Sequence, residues 1–153
     1  MAVGFGAAAR EVARRARNKR SERKPFGYLL TLDLYGCRPG VCDDLGACYN
    51  FLETLVTTLA MSKQSPPFIF RSPTEYPDKA GLSGWVPLIE SGIQIHTLTP
   101  KNFISVDIYC CREFDKDRVV VVAREFFSPR EIEMNQIPNT RSIVARVREV
   151  MAK

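Results

Sequence analysis

The stretch Leu88-Ile89-Glu90-Ser91-Gly92-Ile93-Gln94-Ile95-His96-Thr97 runs apolar to an acid, passes a serine and a glycine, and resumes in alternation to the only histidine of the chain. A period of two puts Ile93 and Ile95 on one face of a strand. The stretch therefore reads as a strand, a kink at Ser91-Gly92 and a second strand. Read as chemistry, it sets a hydroxyl beside a peptide bond open to strain, with an imidazole five residues further on.

The neighbouring segments extend this pattern on both sides. Leu82–Glu90, Ser91–Leu98 and Phe103–Cys111 are three apolar segments, the last two linked by Thr99-Pro100-Lys101-Asn102, which has hairpin turn chemistry. Upstream, Tyr28–Tyr35 (YLLTLDLY) is rich in strand formers and closes at Gly36. Asp43 or Asp44 caps a helix predicted to run to about Met61, with Leu45, Cys48, Tyr49, Leu52, Leu55, Val56 and Leu59 on its apolar side. Phe68-Ile69-Phe70 makes a short strand, and Pro73, Pro77 and Gly81 mark the loop after it. Val119–Val122 favours a strand by propensity, but the flanking charges and the segment length predict a helix capped by Asp115 and ending near Phe127. Glu131–Ile137 alternates as an edge strand stopped by Pro138, and Thr140–Met151 has helical spacing. The sum is an α+β fold, a two-layer sandwich with an antiparallel sheet and helices packed on one face.

Composition limits the function classes. A chain of 153 residues with 45% hydrophobic and 25% charged residues fits one globular domain. The domain is predicted over 26–153, behind a basic tail over 1–25. The formal charge of +5 belongs to that tail: residues 1–24 carry eight basic and two acidic side chains, and the remainder is close to neutral. The tail lacks the interleaved aromatics of single-strand binders, so no specific nucleic-acid partner is expected. No apolar run approaches the ~20 residues of a membrane span, and the short apolar start precedes the positive charges, unlike a secretory signal. A cytoplasmic location is expected. Five cysteines (Cys37, Cys42, Cys48, Cys110, Cys111) without a CxxC pair argue against a disulfide framework, and with a single histidine they argue against a zinc site.

Several motifs together resemble one family. Gly27-Tyr28-Leu29-Leu30, Asp33-Leu34-Tyr35-Gly36-Cys37, Gly81-Leu82-Ser83-Gly84, Glu90-Ser91, Ile95-His96-Thr97 and Val106-Asp107-Ile108-Tyr109-Cys110-Cys111 are similar to the prokaryotic S-adenosylmethionine decarboxylases over roughly residues 27–127. Ser83, Ser91, His96 and Cys111 fall at the family's spacing. Singly, each has a blander reading: Ser91-Gly92 as a bulge, His96 as a hydrogen-bonded structural residue, Cys111 as a small buried hydrophobe and Ser83 as an ordinary strand start. Their joint spacing favours the enzyme.

The resemblance implies a self-cleaving proenzyme cut between Glu90 and Ser91, with Ser91 becoming a covalent pyruvoyl cofactor. His96 and Ser83 assist processing in that picture, and Cys111 returns a proton during turnover. It further implies a small-molecule amino-acid substrate, a homodimer with both protomers near the site, and a role in polyamine biosynthesis. Cys110, next to Cys111, is expected to face the opposite side of its strand.

Two departures bear on the substrate. The family commonly has a histidine directly after the cleavage serine, where this chain has Gly92. Its His-Thr is usually followed by an aromatic residue and Pro-Glu, where this chain has Leu98-Thr99-Pro100-Lys101. Loss of a stacking ring forfeits ~1–3 kcal/mol for an adenine. Leu98 and Tyr76 are the candidate substrate-binding residues, and Trp85 is either a substitute ring or a core residue. S-adenosylmethionine is the default substrate. L-ornithine or L-arginine is the alternative, with Glu75 or Asp78 or the surroundings of Glu90 facing a distal cation. A processing-dead regulatory homologue is the further alternative.

Overall fold

The alternation of Tyr28–Tyr35 becomes strand β1, whose Leu30, Leu32 and Leu34 are fully buried while the residues between them are not. The computed structural model describes residues 26–73 and 75–137. The basic tail and the helix expected over Thr140–Met151 lie outside the described residues. After β1 come helix α1 (Leu45–Thr58), strands β2 (Phe68–Arg71), β3 (Leu82–Leu88), β4 (Ser91–Leu98) and β5 (Phe103–Cys110), helix α2 (Lys116–Phe127) and strand β6 (Glu131–Ile137).

The strands form one six-stranded sheet in the order β2-β3-β4-β5-β1-β6, every neighbouring pair antiparallel. Ile93 and Ile95 of β4 join Ile104, Val106, Ile108 and Cys110 of β5 in the buried layer. Against it pack Phe51, Leu52 and Leu55 of α1 and Val119, Ala123 and Phe127 of α2. Burying each such large side chain stabilises the fold by about 1.5–3 kcal/mol. The Phe51 and Phe127 rings meet at 4.6 Å between centroids and tie the two helices together. This is the α+β two-layer sandwich expected, with both described helices on one face.

Capping explains where the helices begin. The Asp44 side chain accepts from Ala47 N–H at 2.9 Å, and Asp115 accepts from Asp117 and Arg118 N–H. Of the two caps considered for α1, Asp44 is the one used. The helix stops at Thr58, short of Met61, yet Leu59 and Met61 remain buried, so their apolar pattern outlasts the helix.

The expected kink moves two residues toward the N-terminus. Leu88 pairs with Ser91, so Ile89-Glu90 is the turn of a two-residue hairpin and β4 begins at Ser91 itself. Ile89 is 70% exposed, an apolar residue with no core to enter. The Glu90–Ser91 peptide thus joins a turn to a strand.

Candidate active site

Ser91 has a backbone φ of 146°, in a region that L residues rarely occupy and that costs about 1–3 kcal/mol. Simple alternation would aim Ser91 with Ile93 into the core. The unusual φ breaks that alternation, and Ser91 instead borders a hollow of about 310 Å3 whose walls include Trp85, Gly92, Gln94 and Asp107. The carbonyl of Glu90 accepts from Cys111 N–H at 3.0 Å. That bond polarises the carbonyl of the Glu90–Ser91 peptide.

Glu90 is held from several sides. Its Oε2 accepts from Ser62 N–H at 3.1 Å, its Oε1 lies 3.6 Å from Arg112 Nη2, and the adjacent Ile89 N–H donates to the Ser62 carbonyl at 2.9 Å. The Ser62 N–H, with the Arg112 charge adding to it, holds the Glu90 carboxyl below its ordinary range. Arg112 also reaches the Leu59 and Ala60 carbonyls past the end of α1. Cys111 is exposed, whereas Cys110 is buried and burial pushes its thiol up. The expected division of the two cysteines between faces is the one observed.

Ser83 and His96 form a second centre. They are opposite one another in the β3–β4 register, and Ser83 Oγ is 2.8 Å from His96 Nδ1. Both border a second hollow of about 260 Å3, which also has Phe70, Trp85 and Gln94 in its walls. His96 is five residues along β4 from Ser91, roughly 16 Å at the usual strand rise. Within one chain, then, Ser91 is brought to Glu90 and Cys111, and Ser83 to His96, but the two centres stay apart on the same open face of the sheet.

The sequence-predicted substrate contacts fare differently. Tyr76 is 60% exposed in the loop before β3, and Leu98 closes β4 opposite Phe103; neither borders either hollow. Glu75 and Asp78 border neither hollow. The carboxylate that does is Asp107, half-buried on β5. Burial, and then the nearby Asp33, raise its carboxyl above the ordinary value, and no cation pairs with it among the described residues. The signal for Asp107 and Gln94 was present in the sequence: each is a polar position recurring between fully buried aliphatics. No cluster of metal-ligating side chains occurs among the described residues.

The fold and these two centres can be set against known proteins. The sequence profile of the family described as S-adenosylmethionine decarboxylase matches residues 28–140. A Clostridium botulinum (strain Langeland) protein is 28% identical over 115 residues, covering 74% of this chain and 94% of its own length. A Thermodesulfovibrio yellowstonii protein is 29% identical over 115 residues, covering 72% and 81%. One from Parasynechococcus marenigrum is 34% identical over 80 residues, covering 52% and 58%. All three are named S-adenosylmethionine decarboxylase proenzyme. The crystal structure of the adenosylmethionine decarboxylase from Aquifex aeolicus VF5 shares the fold, with a TM-score of 0.64, 24% identity, and coverage of 76% of this chain and 92% of that one. These matches define the protein class as a decarboxylase. The chain belongs to the S-adenosylmethionine decarboxylase family.

Proposed function

We propose that the chain is a proenzyme that cuts itself between Glu90 and Ser91, converts Ser91 to a pyruvoyl group, and decarboxylates S-adenosylmethionine for polyamine biosynthesis. One observation carries this reading: Cys111 N–H holds the Glu90 carbonyl at the point where Ser91 has its strained φ. Addition of Ser91 Oγ to the Glu90 carbonyl carbon places negative charge on the oxygen that Cys111 N–H already contacts. Breaking the C–N bond then moves the acyl group to oxygen, frees the Ser91 amine and relieves the strain. Loss of the Ser91 α-proton expels Glu90 as a carboxylate, and water releases ammonia from the dehydroalanine that remains.

The surroundings suit a small ketone at position 91, since Gly92 adds no side chain and the hollow opens beside it. Such a ketone, joined to the substrate amine, takes up the electron pair left as carbon dioxide departs. Cys111, whose backbone is fixed at Glu90, carries an exposed thiol that returns a proton to the substrate α-carbon.

Ser83 and His96 serve the same reaction from a second copy of the chain. The separation of the two centres along β4 supports a homodimer stacked through the open sheet faces, with each Ser83–His96 pair meeting the other copy's Ser91. That face bears the exposed aromatics Phe68 and Phe70, suited to cover. In this arrangement His96, oriented by Ser83, is the base for the Ser91 α-proton.

The unpaired Asp107 carboxylate suits a cationic substrate, and the sulfonium of S-adenosylmethionine meets it. L-ornithine and L-arginine also carry a distal cation, and Asp107 is the observation that keeps them as the second reading. Five free thiols accord with a reaction in the cytoplasm, and no helix among the described residues is long and apolar enough to cross a membrane.

Intact mass of the purified protein tests the proposal. Two chains, 1–90 and 91–153, are expected, with one uncut chain for Ser91→Ala. An uncut wild-type chain that releases no carbon dioxide from any of the three substrates removes the enzyme reading and leaves the regulatory homologue. Carbon dioxide release from each substrate, measured side by side, decides among them.

A further inference from the structure

Resting on the reading of Ser91 as the cofactor position, we propose that Trp85 is the residue by which the site selects its substrate, favouring an amino acid with a flat heteroaromatic distal group, an adenine nucleoside, over an acyclic one. Trp85 is 48% exposed on the open face and is not part of the core. Its register partner is Gln94, yet the indole leans diagonally toward Ser91: a Cβ at Gly92 would fall 2.6 Å from its Nε1 and 3.5 Å from its Cδ1. The ring lies over the backbone of the residue that follows Ser91. Gly92 and Trp85 therefore act as one device, because the glycine leaves clear the volume that the ring takes. Any side chain at position 92 displaces the indole or meets the Val86 carbonyl, 3.2 Å from that Cβ.

Trp85 and Gln94 are walls of both hollows. A ligand fixed through its amine at position 91 has Asp107 within the first hollow to take a cation. An acyclic ammonium or guanidinium chain is satisfied there and makes no use of the second hollow. A nucleoside extends further, and what it meets is the flat face of Trp85. The indole Nε1–H donates to no group among the described residues and is open to an acceptor on the ligand. Tyr76 and Leu98 offer no comparable surface, since neither borders a hollow.

Trp85 is the only tryptophan in the chain, so intrinsic fluorescence reads this one ring. Processed wild-type protein is titrated with 5′-methylthioadenosine, a neutral nucleoside without amine or cation, and separately with arginine and ornithine. Saturable quenching by the nucleoside alone is expected. Trp85→Leu is expected to self-cleave, by intact mass, and to raise KM for S-adenosylmethionine about tenfold or more beyond any fall in kcat. Trp85→Phe, which keeps a ring, stays within about threefold of wild type in KM. Quenching by arginine or ornithine in place of the nucleoside overturns the proposal, as does an unchanged KM in cleaved Trp85→Leu. A ring silent to every ligand, as when a second copy buries it, overturns it as well. All three outcomes leave the proenzyme reading standing, whereas an uncut wild-type chain removes that reading itself. Should Trp85→Leu fail to fold, the wild-type titration and Trp85→Phe decide.

Discussion

In the proposed reaction Cys111 takes part through two different atoms, and a substitution separates them. Cys111→Ala keeps the N–H that contacts the Glu90 carbonyl and loses only the thiol. Self-cleavage is therefore expected to proceed, while kcat falls on the order of a hundredfold or more, measured as carbon dioxide release. Glu90 predicts a pH effect. Its folded-state pKa is depressed below the ordinary 4.5, so its contribution to stability is complete above that value and is lost as pH falls through the lower folded value. Glu90→Gln should flatten this acid limb in denaturation curves recorded on uncut Ser91→Ala protein. Ser83, Ser91, His96 and Cys111 were marked in the sequence only through their resemblance to the family's joint spacing, since singly each has a blander reading. Asp107 and Gln94 were marked only as polar positions in alternating strands, and Arg112 not at all, because the part each plays depends on what packs beside it. For Trp85 the sequence left two readings, a substitute ring or a core residue, and its 48% exposure on the open face excludes the core.

At the scale of elements, Thr97 ties the β3–β4 hairpin to the loop before α1. It is fully buried, donates from Oγ1 to the Cys42 carbonyl at 2.6 Å and accepts from Leu82 N–H at 2.7 Å. Its neighbour His96 and the Leu82 neighbour Ser83 are thereby fixed relative to the loop before α1. Thr97→Val leaves the Leu82 N–H without its acceptor and should cost about 1–3 kcal/mol by urea denaturation, with Thr97→Ser recovering most of it. The strands β1, β4 and β6 were legible to the residue because alternation and turn residues agree there. Helix α2 was legible despite its run of valines, since Asp115 caps it and Val119, Val122 and Ala123 fall on one buried side. The β3–β4 turn was misplaced by two residues. An exposed Ile89 gives no turn signal, and nothing in a Ser-Gly dipeptide reveals that the serine carries the positive φ.

For the whole molecule, the separation of Ser91 from His96 makes a prediction that no single chain can satisfy. If each site takes its base from the other copy, Ser91→Ala and His96→Ala chains complement one another. Expressed alone, the first stays uncut and the second processes slowly. Expressed together, part of the His96→Ala chains should be cut and decarboxylase activity should return, read by intact mass and carbon dioxide release. No return of cleavage places the base within the same chain. The sheet order β2-β3-β4-β5-β1-β6 has a further consequence if the Glu90–Ser91 bond is cut as proposed. The first piece supplies β1, β2 and β3, the second β4, β5 and β6, and β1 is threaded between β5 and β6. The cysteines are free, so no disulfide rejoins the pieces. Each remains clasped by the other along the β3–β4, β5–β1 and β1–β6 edges. Assembly of the precursor is a search by one chain within itself, but reassembly after unfolding is a meeting of two strangers whose success falls with dilution. A protein matured by that cut therefore outlives its own ability to fold, and its lifetime is set by the barrier to coming apart.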